Sequence, residues 1–251
     1  MKLVMSNLTV VIITKNEEHN IADAVKNAFT VASKVVVVDS GSTDKTVELA
    51  KENGALVVTR QWDNNFAAQR NFGDQHVETE WVLHLDADER ISEELASDIK
   101  KALENSKEVI YKFVRRNSAF CREFKYGVLA PDTVLRMYPL NKARWVEKVH
   151  ERPVGNLPII KLSGYLQHFV YTDFSQYLNK MNLYSTIGAR NNKDKGKKAV
   201  VLKDIVLRPF LAFLKMYLLK GGILEGWLGF VLCLTYANYT LNKYVKLKLL
   251  K

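Results

Sequence analysis

The stretch Leu83 to Arg90, LHLDADER, runs an apolar segment straight into Asp86, Asp88 and Glu89, three acids within four positions. If extended geometry persists through them, residues two apart share a face, and Asp86 and Asp88 point the same way. Two carboxylates so placed can hold a hard divalent cation, Mg2+ or Mn2+, which neutralises a diphosphate. A short DxD is also common by chance, and acids after a strand are often a solvated turn. Two more polar clusters follow apolar runs: TKNEEHN from Thr14 to Asn20, and DSGSTD from Asp39 to Asp44. Each has a plainer reading as well. Glu17 and Glu18 suit a helix N-terminus, and DSGSTD is rich in turn formers. Three polar clusters at three strand ends nevertheless point together to one site, because that edge is where a parallel sheet binds its ligands.

The elements that must position these residues are legible as periodicity. Leu8–Ile13, Val35–Val38, Leu56–Val58 and Trp81–Leu85 read as buried strands. Between them, Glu17–Ala32, the segment from Asp44 to Asn53, and Phe66–Val77 read as helices. Ser92 is placed to cap a further helix carrying Leu95, Ile99 and Leu103. This alternation predicts an α/β fold with a mostly parallel sheet covered on both faces. Beyond Lys107 the pattern shifts to strands at Val109–Val114 and Thr133–Tyr138, a mixed segment through His168, and a helix from about Asp173 to Arg190. NNKDKGKK, Asn191 to Lys198, reads as a basic linker.

The chain has 251 residues, 47% hydrophobic and 25% charged, enough for one large domain with an appendage. Two distant cysteines, Cys121 and Cys233, argue against a disulfide framework or zinc site and fit a reducing compartment. The first apolar run is too short for a leader peptide. The formal charge of +10 is uneven. Residues 190–251 hold 13 Lys+Arg against 3 Asp+Glu, which is the whole excess. Such a tail implies an anionic partner. Its residues are mostly aliphatic, not aromatics interleaved with basic residues on a polar surface, so a membrane is favoured over nucleic acid. The expected organisation is a catalytic domain over residues 1–190 and a basic, apolar helical tail over 191–251. That tail is expected to lie on the membrane, with burial against the catalytic domain or a partner as the alternative and a crossing last, since Glu225, Gly226 and Gly229 interrupt its apolar run.

VVIITKNEEHNI, VVVVDSGSTDKT, AAQRNFG and WVLHLDADE resemble, in order and spacing, the successive motifs of family 2 glycosyltransferases with the GT-A fold. RWVEKVHERP, LQHFVYTDFSQYLNKMNLYS and the tail from RPFLAFLKMYLLKGG are similar to bacterial lipopolysaccharide core β-1,4-glucosyltransferases. The resemblance implies a UDP-sugar donor, Thr14 and Glu17 lining the nucleotide pocket, Asp39 on the base, Arg70 holding the nucleotide, Asp86 near the ribose and Asp88 on the metal. His168 would complete the metal shell or be a core histidine. Inverting transfer needs a base beside the acceptor hydroxyl. Glu151 of VHE is the first candidate and Glu147 the second; either can instead form a surface salt bridge. His150 would orient the loop or the acceptor, and Lys180 would face the diphosphate or solvent. The implied activity is inverting, metal-dependent transfer of a hexose, glucose first, to a lipid-anchored saccharide at the cytoplasmic face of the plasma membrane. The alternatives are transfer to another cell-surface glycan, and a nucleic-acid-binding protein led by the tail. A nucleotidyltransferase would carry a glycine-rich, basic phosphate loop where TKNEEHN stands.

Overall fold

Seven successive buried residues form β1 (Leu8–Thr14), as a strand covered on both faces requires. Residues 7–105, 107–147 and 151–250 are described by the structure, a computed structural model. Strand β1 lies parallel between β2 (Lys34–Asp39) and β4 (Trp81–Asp86), and β3 (Leu56–Thr59) extends the ladder beside β2. Alternate side chains go to opposite faces. Val10, Ile12, Val35 and Val37 pack with α1 (Ile21–Ala28) and with α4 (Glu93–Glu104). Val11, Ile13, Val36 and Val38 meet Ala67 of α3 (Phe66–Asp74) on the other side. The helix α2 (Thr46–Glu52) joins β2 to β3.

Beyond β4 the sheet continues antiparallel. β8 (Asp132–Pro139) pairs with β4 and with β6 (Ile110–Ala119), and β11 (Ile159–Tyr171) pairs with the short β5 (Glu89–Ile91). The full order is β3-β2-β1-β4-β8-β6-β11-β5, with β7 (Arg122–Glu123) on β6. β9 (Arg144–Val146) and β10 (Arg152–Val154) form a separate antiparallel pair. This is the expected α/β, GT-A type of architecture, with a mixed sheet: parallel from β3 through β2 and β1 to β4, antiparallel where β8 joins β4 and β6. The helix expected over Glu17–Ala32 is shorter, because the chain from Asn16 to Asn20 forms a loop tied to the one after β2.

Contacts divide the chain into two compact units. The first holds residues 1–115 and 132–168, the second 116–131 and 169–251. The expected boundary at 190 therefore falls inside the second unit. There α5 (Phe174–Asp194), capped by Asp173 through the Gln176 N–H at 2.9 Å, packs along α7 (Gly226–Leu249). Its core joins Phe124 and Tyr177 to Leu228 and Leu232. Between α5 and α7 run a π-helical stretch, Val201–Leu207, then α6 (Arg208–Leu214) and a second π-helical stretch, Lys215–Leu219. No single helix among the described residues is long and apolar enough to cross a membrane. Only Val201–Leu219 and Gly222–Leu249 taken together, bent by 70°, would be.

Candidate active site

Sheet register brings the expected residues to one edge. Thr14 pairs with Asp39, and Ile13 pairs with Asp86. Thr14 is buried and its hydroxyl oxygen has no partner among the described residues. Glu17 accepts from Asn20 Nδ2 at 2.7 Å, while its own N–H donates to Thr46 Oγ1 at 2.7 Å. Thr43 N–H donates to Asn16 Oδ1 at 2.8 Å, so the loops after β1 and β2 are stitched together. The carboxylate of Asp39 accepts from the Gly41 N–H at 2.9 Å and from Ser42 Oγ at 2.5 Å. It thereby organises its own turn, the plainer of its two expected roles.

The DxD pair departs from the sequence expectation. β4 ends at Asp86, and residues 87–88 form a turn into β5. Extended geometry is lost between the two acids, so they meet different partners and not one shared cation face. Asp86 is gripped by Arg70 Nη2 at 2.6 Å and Arg136 Nη2 at 2.7 Å. Burial pushes its pKa up, but the charges of Arg136 and Arg70 outweigh that and hold the carboxyl well below the usual range. Asp88 lies instead 3.3 Å from His168 Nε2, brought there by the pairing of β11 with β5.

Glu89 has no evident role in the sequence. It is fully buried: Oε2 accepts the Asp86 N–H at 3.0 Å, while Oε1 meets Arg136 at 3.0 Å and Arg115 at 3.3 Å. Arg136, itself 4% exposed, therefore bridges Asp86 and Glu89. Burial disfavours its charge, but Asp86 and Glu89 more than compensate and raise its pKa. Sequence reasoning missed both residues. The available signal was an arginine among Val134, Leu135, Met137 and Tyr138, in a strand otherwise core-like. A buried arginine of that kind needs acids to meet it.

The two candidate bases separate. Glu151 Oε1 accepts from Arg70 Nε at 3.3 Å and Nη2 at 3.2 Å, and Arg70 stacks 4.7 Å over the Trp145 ring. Glu151 and Asp86 thus share one arginine and line one cleft of about 540 Å³ with Arg136 and Trp145. Glu147 lies outside that lining. It is a largely exposed residue 3.5 Å from Arg152 Nε, the surface ion pair that the sequence also allowed. His150 lies outside the described residues. In the second unit, Lys180 Nζ sits 5.1 Å from the Tyr171 ring centre.

The donor set at Asp88 and His168 fits a divalent cation that takes its remaining ligands from water and a diphosphate. Mg2+ is commonly held by one or two carboxylates, here that of Asp88, with water and phosphate filling the rest of its shell. Among the described residues there is no cluster of three His, Cys, Asp or Glu able to enclose a metal alone. The arrangement as a whole can bind a polar ligand at the strand ends and present a carboxylate to a group in the adjoining cleft.

The model of glycosyl transferase family 2 matches residues 9–155. An uncharacterized glycosyltransferase of Rickettsia typhi is 29% identical over 257 residues, covering 97% of this chain and 87% of that one. A lipopolysaccharide core biosynthesis glycosyltransferase of Rhizobium meliloti is 29% identical over 245 residues, covering 92% and 88%. Among solved structures, S. aureus TarS is 16% identical with a TM-score of 0.43, covering 97% of this chain and 55% of that one. The glucosyl-3-phosphoglycerate synthase of Mycobacterium tuberculosis, solved with Mn2+ and UDP, is 18% identical with a TM-score of 0.35, covering 47% and 45%. The chain thus spans about half the length of these two solved proteins.

Proposed function

Since the chain belongs to glycosyl transferase family 2, we propose that it transfers a hexose, glucose first, from a UDP-sugar to a lipid-anchored saccharide of the lipopolysaccharide core kind, with inversion. The observation that carries this reading is Arg70. One buried guanidinium holds Asp86, at the end of a nucleotide-binding type of strand, and Glu151, in the adjoining cleft. On this reading Arg70 ties the donor end of the site to the acceptor end. The R. meliloti relative supports the acceptor class; another cell-surface glycan is the alternative.

In this mechanism Thr14, Glu17, Asp39 and Arg70 position the nucleotide, and Asp86 orients the ribose. Glu151 takes the proton from the acceptor hydroxyl. The oxygen attacks the anomeric carbon in line, the bond to the diphosphate breaks, and UDP leaves with the electron pair. Asp88 and His168 would hold Mg2+ or Mn2+, which when bound neutralises charge on the departing diphosphate. The second unit, with its +10 segment, would keep the enzyme at the cytoplasmic face of the plasma membrane, where an amphipathic acceptor resides.

A donor screen tests the proposal: UDP or other nucleotide release is measured for several nucleotide-sugars with Mn2+, with and without a lipid-linked acceptor. UDP-glucose should be turned over in an acceptor-dependent way. Glu151→Gln should bind donor normally and lose about 10²–10⁴-fold in kcat, whereas Glu147→Gln should stay near wild type. Asp88→Ala should lose metal-dependent UDP binding. Full turnover by Glu151→Gln would remove it as the base, and no acceptor-dependent release with any donor would overturn the reading.

A further inference from the structure

Within the second unit the C-terminal hairpin is built as a rigid elbow. The chain bends by 70° between its two arms, Val201–Leu219 and Gly222–Leu249. Gly221 turns the chain in the left-handed region at φ +70°, and the Gly127 N–H donates to Lys220 O at 2.8 Å. The arms close on bare backbone: a Cβ on Gly229 would lie 2.0 Å from Gly222 O. The inner side is occupied by protein. Leu228 and Leu232 belong to the unit's core. Glu225, the one acid of this apolar stretch, is turned inward; it accepts from the Lys125 and Tyr126 N–H groups and pairs with Arg122.

The outer side is apolar and open. Leu219 is 83% exposed, Trp227 77% and Leu224 67%, and Leu218, Ile223 and Phe230 join them. Trp227 and Phe230, three residues apart on α7, share one side of that helix, and Ile223 is exposed in the short turn just before it. Large contiguous apolar patches on a rigid surface mark interaction sites. Lys215 and Lys220 are exposed beside the patch. Charge selects the occupant. Residues 190–251 carry the entire +10, so a second copy would set two like-charged segments against each other, whereas anionic lipid neutralises them.

We infer that this elbow, Leu218 to Phe230, is the element that enters an anionic lipid bilayer, the chain lying on the membrane. Leu219 and Leu224 reach into the acyl region, Trp227 sits at its boundary, and the lysines extend to the headgroups. The inference rests on the membrane attachment proposed above and names the part of the chain that makes it.

The test uses the full chain with phosphatidylglycerol–phosphatidylethanolamine vesicles carrying brominated acyl chains. Trp81 and Trp145 are buried and Trp62 is partly covered, so Trp227 dominates the signal from exposed tryptophan. Tryptophan quenching should appear on binding and vanish in Trp227→Phe, which still sediments with vesicles. A Leu219→Ser/Leu224→Ser variant should partition about tenfold more weakly or worse. Binding without quenching, with the double variant equal to wild type, would overturn the elbow and leave attachment by another surface standing. No sedimentation at all would overturn attachment itself. A lipid-free dimer lost in the double variant would replace the bilayer with a second copy.

Discussion

Arg136 and Glu89 show what single residues contribute at this site. The arginine satisfies Asp86 and Glu89 together, and the glutamate fixes the backbone of Asp86. Removing one member of a buried ionic group strands the others. Arg136→Met should therefore destabilise the fold by about 3–5 kcal/mol, read from denaturant midpoints. Adding Glu89→Gln should recover part of that loss, since the stranded charge goes with it. His84 makes a separate claim about pH. Its ring is fully buried, 2.8 Å from Asp74 and 3.0 Å from the Tyr138 hydroxyl. Burial lowers its pKa below the ordinary 6.5, only partly offset by Asp74. The folded ring stays neutral where the unfolded one takes a proton, so stability is full above about pH 6.5 and declines as pH falls below it. Asp86, also depressed, adds a second decline below its ordinary 3.8. Thermal midpoints across pH should show both steps, and His84→Gln should lack the first.

At the scale of elements, α3 must lie close to β1 for Arg70 to reach Asp86. Gly73, one turn after Arg70, permits this, because a Cβ there would lie 2.4 Å from Val11 Cγ1. Gly73→Ala should cost about 1–3 kcal/mol through overpacking. The displaced Arg70 should weaken UDP binding as well, which calorimetric titration would detect. A stability loss with unchanged UDP affinity would separate Arg70 from the donor site. The turn between β4 and β5 acts in the same way. By ending the strand at Asp86 it sends Asp88 towards His168.

For the whole molecule, the C-terminal helices belong to a folded unit and are not a detachable anchor. Leu228 and Leu232 complete the core beneath Tyr177, whose hydroxyl donates to Leu232 O at 3.3 Å. Burying such a leucine stabilises by about 1.5–3 kcal/mol each. A chain lacking residues 226–251 should lose the order of α5, visible as rapid proteolysis within 174–194, while residues of the first unit keep their protection. Equal protection of α5 in both forms would contradict the shared core. Deletion of the tail is for that reason a poor assay of membrane attachment, and surface substitutions on the elbow are the better one.

The strands at the start of the chain and the polar clusters at their ends were legible in the sequence, because strand and helix periods are local and a buried parallel strand has few other spellings. Thr14, Asp39 and Asp86 reach one edge simply by ending neighbouring strands in register. The ordered motifs likewise sufficed to indicate the family. Other features rest on pairs far apart in the chain, such as Arg70 with Glu151 or Arg136 with Glu89, and no local period encodes those. Tertiary structure alone separated Glu151 from Glu147, split the two aspartates of DxD between different partners, and gave Glu89 its arginines. It also turned Glu225 inward and left Leu219 and Trp227 outward. The physical reason is that a buried charge is tolerated only where the fold brings its counter-charge, and an apolar residue is exposed only where the fold leaves it nothing to cover.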